Sequence, residues 1–151
     1  MVARRCFTFL VSAPLLVLLQ ACSSVPPEGS ARVEVALPAQ AANLPESKPG
    51  SGIGSANLHA EEGVSINLLR ITAPLAQHRH LESEEIVYVI AGGGVLHLAG
   101  GDRAIEAGDF VVIPRNTPHG FTPGGPEATV ILQEFVPKYV DGDRIFEGAK
   151  R

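Results

Sequence analysis

From Val64 to Phe135 the chain is a succession of short β-rich runs closed by turns of Gly, Asp or Pro, and this rhythm constrains its fold more than any other feature. Val64 to Thr72 is a β-rich run that ends before Pro74, and Ile86 to Ile90 is continuously apolar. Gly92-Gly93-Gly94 turns the chain into Val95 to Leu98, and Gly100-Gly101-Asp102 turns it again. Arg103 to Glu106 leads into Ala107-Gly108-Asp109, then come Phe110 to Ile113 and Thr129 to Phe135, stopped by Pro137. Short strands at such spacing form a sandwich or barrel. In roughly 80 to 100 residues a closed or nearly closed barrel leaves the fewest exposed edges. The expected class is all-β, with no internal repeat and no sustained 3.6-residue periodicity after the N-terminal region.

That N-terminal region is of another kind. Arg4 and Arg5 precede a mostly apolar run from Phe7 to Leu19. The run is short for a membrane-spanning helix, which needs about 20 apolar residues, and right for the core of a signal peptide. It closes on Leu19-Gln20-Ala21-Cys22, which resembles the lipobox of bacterial lipoproteins. The resemblance implies cleavage before Cys22, lipidation of its sulfur and firm membrane attachment through several acyl chains. Ser23, where an Asp would favour inner-membrane retention, implies the outer membrane in a Gram-negative source. Loss of residues 1–21 removes Cys6, two Arg and no acid, so the remaining chain has 10 basic against 16 acidic residues, a net charge of −6. With Cys22 lipidated no free thiol is left, which rules out a disulfide framework or a thiolate zinc site.

Residues 22–55 read as a tether and lead-in, punctuated by Pro26, Pro27, Pro38, Pro45 and Pro49 and ending in a Gly-rich stretch. Within it Arg32 to Leu37 alternates polar and apolar, the pattern of a short first strand. Residues 56–137 then form the barrel, and 138–151 a polar tail without a readable role. The intact chain carries 12 basic and 16 acidic residues, a formal charge of −4, with no Trp and two Tyr. Neither a basic footprint for nucleic acid nor an aromatic stacking platform is present.

The chemistry lies in a few residues. His78 and His80, two apart, share one face of an extended chain about 7 Å apart. Glu85 follows at the start of the next apolar strand, and His119 follows the turn Pro114-Arg115-Asn116-Thr117-Pro118. Three imidazoles and one carboxylate suit manganese, iron, nickel, copper or zinc. Each residue alone is more often solvated or incidental than ligating. Their order and spacing change that.

These residues resemble the two motifs of the cupin family. His78, His80, Glu85 and Gly92 fit the first, with four residues between His80 and Glu85 and six between Glu85 and Gly92. Gly108, Pro114 and His119 fit the second, and fifteen residues separate Gly92 from Gly108. Thr72, Asn116 and Pro123 depart from the pattern, none at a ligand position; Asn116 tolerates the left-handed turn that a Gly would take. The resemblance implies a double-stranded β-helix, or jelly roll, with one divalent metal on His78, His80, Glu85 and His119, open to a small-molecule ligand. Oxidation by an iron centre and Lewis-acid isomerisation are both open, as is a non-catalytic binding module. Cupins often dimerise by strand exchange, and nothing in these residues fixes the oligomeric state.

Strand alternation turns Glu84 away from the face that Glu85 takes. Leu96 and Leu98 read as inward, which leaves His97 to solvent, and His59 beside Glu61 and Glu62 reads as loop. Phe121 and Gln133 are candidates to line the barrel, with core packing the expected use of Phe121.

Overall fold

The computed structural model describes residues 36–148. The N-terminal segment read from the sequence as a signal peptide, Cys22 and residues 32–35 of the expected first strand lie outside them. Among the described residues no helix is long and apolar enough to cross a membrane.

One short helix, α1 (Leu37–Ala42), precedes ten strands: β1 (Ile53–Glu61), β2 (Val64–Ile71), β3 (Leu75–His80), β4 (Glu84–Ala91), β5 (Gly93–Leu98), β6 (Arg103–Glu106), β7 (Phe110–Ile113), β8 (His119–Pro123), β9 (Thr129–Val136) and β10 (Arg144–Phe146). They form two five-stranded sheets, ordered β1-β2-β9-β4-β7 and β10-β3-β8-β5-β6, with antiparallel pairing throughout. The spacing of runs and turns led to an all-β sandwich or small barrel, and the two sheets form the jelly roll that the cupin resemblance implies. Gly92 makes the β4–β5 turn at φ +72, where an added Cβ would lie 2.7 Å from the Ala128 carbonyl oxygen. Asn116 takes the left-handed conformation at φ 60.

Strand alternation builds the interior. Leu69, Ile71, Val87, Val89, Phe121 and Ile131 pack as one buried cluster between the sheets. Leu68, next to Leu69, is also buried, although the pleat turns it to the opposite face. It packs with Ala41 of α1 and with Val130. The helix thus covers the outer face of β2 and β9, which explains why two consecutive Leu both lose contact with water. Residues 37–54, read from the sequence as part of a tether, therefore contain a helix that packs on the sheet. Leu37 opens that helix rather than ending a strand, with Pro38 in the first turn, where a missing N–H is harmless.

Two further segments depart from the sequence reading. His59 lies in β1 and pairs with Ile66, not in a loop. The segment read as a polar tail contains β10, which pairs Arg144 with His80, Ile145 with Arg79 and Phe146 with His78. The Leu81 N–H donates to the Asp143 carbonyl at 3.1 Å and the Glu147 N–H to the Gln77 carbonyl at 3.0 Å. Arg79 and Glu147 close the outer side with an ion pair of 3.2 Å. Backbone pairing, not apolar content, holds this strand, so hydrophobic periodicity did not reveal it.

β3 carries an irregularity of consequence. Leu75 pairs with Phe121 and His78 with His119, so three steps on β3 match two on β8. One extra residue, a β-bulge, shifts the phase of the pleat. Leu75 packs on the core cluster, and without the bulge His78 and His80 would face the other way.

Candidate metal centre

β3 supplies His78 and His80, β4 supplies Glu85, and β8 supplies His119 at its first residue. All four are buried, and one ligand atom from each lies within 4.8 Å of the others. Glu85 Oε2 is 3.0 Å from His119 Nε2 and 3.4 Å from His80 Nε2. The sequence-derived set is therefore brought together in full. Glu84, one residue away, is only half-buried and stays outside the cluster. His97 bonds Asp102 through Nδ1 and Thr122 through Nε2, each at 2.9 Å, and His59 lies 3.8 Å from Glu61. Neither joins the cluster.

Each clustered imidazole is held by its far nitrogen. His78 Nδ1 donates to the Ala76 carbonyl and His119 Nδ1 to the Thr117 carbonyl, both at 2.8 Å. His80 Nδ1 donates to Asp143 Oδ2 at 3.0 Å. A carbonyl can only accept, so His78 and His119 carry the proton on Nδ1 and turn Nε2 toward the centre. The carboxylate fixes the same tautomer in His80. Glu85 is held likewise: its Oε1 accepts from Gln133 Nε2 at 2.6 Å, leaving Oε2 toward the imidazoles. Outer hydrogen bonds of this kind orient ligating imidazoles and carboxylates in metal sites.

The electrostatics follow from these contacts. Burial alone would raise the Glu85 pKa, but the hydrogen bonds from His119 and Gln133, with the His80 ring 3.4 Å away, outweigh it and hold the carboxyl well below the usual range. Burial would lower His119, yet the hydrogen bond to Glu85 and its charge raise it. His78, with no such partner, is pushed down to about 4 by burial, with the charges of His119 and Arg144 adding to the effect. Asp143 is lowered: burial opposes this, and the Glu82 N–H together with His80 prevails. The Glu82 N–H donates to Asp143 Oδ1 at 2.6 Å, so both carboxylate oxygens are engaged.

One nitrogen of the cluster is left over. His80 Nε2 has no hydrogen-bond partner, although its Nδ1 is bonded. Buried nitrogens are rarely left unpaired, and one that faces a carboxylate and two other imidazoles has the lone pair a cation needs. Three nitrogens and one oxygen, all near one point, fit a divalent ion of the manganese-to-zinc series. Beside them lies a cavity of about 60 Å³, walled by apolar side chains such as Leu69, Val87 and Ile131 and by Phe121, Gln133 and Arg144. It has room for a handful of waters or the end of a small molecule. Phe121 both packs in the core and lines this space.

Sequence reasoning missed Asp143 and Arg144, assigning both to the tail. The available signal was Asp141-Gly142, a turn dipeptide immediately before Asp143 and the β-compatible Ile145-Phe146.

Residues 72–133 match the family model of the Cupin domain. A conserved protein with a double-stranded β-helix domain from Klebsiella pneumoniae has the same fold, with a TM-score of 0.62, 15% identity, and coverage of 81% of this chain and 100% of that one. KdgF from Halomonas sp. aligns with a TM-score of 0.57 at 25% identity, covering 64% of this chain and 89% of that one. Among curated proteins, the acireductone dioxygenase of Gluconacetobacter diazotrophicus is 35% identical over 89 residues, 56% of this chain and 50% of the relative. The chain spans about half the length of the curated relatives it matches.

Proposed function

We propose that this domain, a cupin by fold and by the match over residues 72–133, holds one divalent transition metal on His78, His80, Glu85 and His119 and acts on a small oxygen-bearing molecule in the adjoining cavity. The observation that carries the reading is the arrangement of three imidazoles, each tied back through Nδ1, around Glu85 Oε2. A bound metal supplies Lewis-acid polarisation of a ligand oxygen or, as iron, a redox centre. Glu85 balances charge and is held in place by Gln133, while the apolar walls keep bulk water from the reacting end. His119 gives up its Nε2 proton when it ligates. The likeness to a protein named acireductone dioxygenase supports the oxidative form of this reading.

A second reading, a non-catalytic binder of a small molecule or metal, has its own support. The cavity wall offers no acid–base pair apart from the candidate ligands His78, Glu85 and His119, with Gln133 and Arg144 as its other polar side chains. We further propose that the domain sits on the bacterial envelope through lipid on Cys22, facing the periplasm. Arg4, Arg5, the apolar run and Leu19-Gln20-Ala21-Cys22 support this. Cys22→Ser would then abolish labelling by fatty acid and release the protein from membranes.

Metal analysis of the purified full chain in detergent tests the main reading. Glu85→Gln strips the metal and Glu84→Gln leaves it; equal loss in both, or no metal in the parent protein, overturns the assignment. Oxygen uptake on a substrate panel separates oxidation from isomerisation and from plain binding.

A further inference from the structure

β1 and β10 are corresponding edges of the two sheets, and between them opens a second cleft of about 450 Å³. It shares Ile53, Leu69, Gln133 and Arg144 with the cavity beside the candidate ligands, so the two spaces adjoin. Hydroxyls and amides, among them Ser55, Asn57 and Asn67, line it together with Lys48, Lys138 and Arg144. No Asp or Glu does. The chain as a whole has more acidic than basic residues, so three cations without a carboxylate run against its composition.

These cations have no ion-pair partner among the described residues, whereas nearby Arg79 is paired with Glu147. Arg144 is the informative one. It is half-buried, its Nε is buried without a hydrogen-bond partner, and its charge reaches His78 and His119. A guanidinium donor withdrawn from water and left unpaired is costly unless an acceptor arrives from outside. The planar guanidinium matches a carboxylate with two parallel hydrogen bonds, and lysines at the rim draw an anion in by charge.

We infer that the cleft takes a small carboxylate, whose anionic end is held by Arg144 with Lys48 and Lys138 while its oxygen-bearing end enters the adjoining cavity. This rests on the proposed metal site for what happens at the far end of the ligand, and on the cleft alone for the capture of charge. The substrate class is thereby narrowed to hydroxy- or oxo-carboxylates rather than neutral polyols or apolar compounds.

The test is calorimetric titration of the metal-loaded full chain with gluconate, malate, inorganic phosphate and uncharged sorbitol. The carboxylates bind at least about tenfold more tightly than sorbitol, and their binding weakens with added salt. Arg144→Gln removes that preference without changing metal content. The double variant Lys48→Gln/Lys138→Gln, at two exposed positions, weakens it to a smaller degree and serves should Arg144→Gln not fold. Carboxylates no tighter than sorbitol, phosphate bound in their place, or binding indifferent to both variants overturns the inference. Metal content measured alongside separates the two readings. A chain that holds metal yet ignores charge sinks only the cleft; one that binds carboxylate through Arg144 without metal sinks only the metal site.

Discussion

Asp143 accepts a hydrogen bond from His80 across 63 residues of sequence, Oδ2 to Nδ1 at 3.0 Å. Its other oxygen is engaged by the Glu82 N–H, so the carboxylate cannot turn away. The contact fixes both the tautomer and the plane of an imidazole whose free nitrogen faces Glu85. Asp143 itself is not among the cavity's wall residues. It is a positioning residue, and the structure makes its influence on the cluster separable from that of the ligands.

Asp143→Ala should therefore weaken metal binding about 10- to 100-fold, the range typical of lost partners to ligating imidazoles. Competition against a chelator of known affinity measures it. Asp141→Ala, at an exposed position in the same turn, should have no effect. Unchanged affinity in Asp143→Ala would show that the ring is held by packing alone.

Metal uptake should be coupled to proton release. His119 uses both ring nitrogens as donors in the metal-free protein, Nδ1 to Thr117 and Nε2 to Glu85, which fits its raised pKa. Below that raised value the ring is charged and must lose a proton to ligate; above it there is none to lose. Release should thus fade as pH rises through the His119 value, while His78, at about 4, adds a second proton only in acid. The same shifts act on the metal-free fold. His119 contributes stability that is present below its ordinary value of 6.5 and is lost as pH rises through its raised one; His78 contributes stability present above 6.5 that is lost as pH falls toward 4. Titrating metal in two buffers of different ionisation enthalpy reads the proton count directly. Identical heats in both at neutral pH would contradict it.

Leu68→Ala should cost about 2–5 kcal/mol of stability, as truncation of a fully buried Leu does, because it empties the contact between α1 and the outer face of β2. Denaturant unfolding measures the loss. Metal affinity should hold, since Leu68 lies on the face of the sheet away from the cluster. A variant that loses both together would show that the helix and the site fold as one unit.

The metal-site candidates were legible because a cation restricts both the residue types and the spacing able to surround it, and His78, His80, Glu85 and His119 satisfy both. The strands were legible for a similar reason: each turn needs Gly, Asp or Asn, and Gly92 and Asn116 show the backbone conformations that require them. The bulge between Leu75 and His78 was not, because one extra residue in a strand leaves no mark on composition. α1 was hidden too. Six residues are too few for periodicity, and packing of Ala41 on Leu68 and Val130 holds the helix rather than its own propensity. For Asp143 and Arg144 the turn signal at Asp141-Gly142 marked a bend but not a destination: the strand they meet lies some 60 residues away in sequence, a distance no local pattern spans.

β10 is an edge strand of three residues, steadied by the backbone bonds from Leu81 to Asp143 and from Glu147 to Gln77. A short edge strand with few buried contacts opens more readily than the central strands of a sheet. Because residues 143–146 carry both the carboxylate that steadies His80 and the guanidinium at the cavity wall, fraying of this one segment would loosen both together while the cluster between the sheets stays packed.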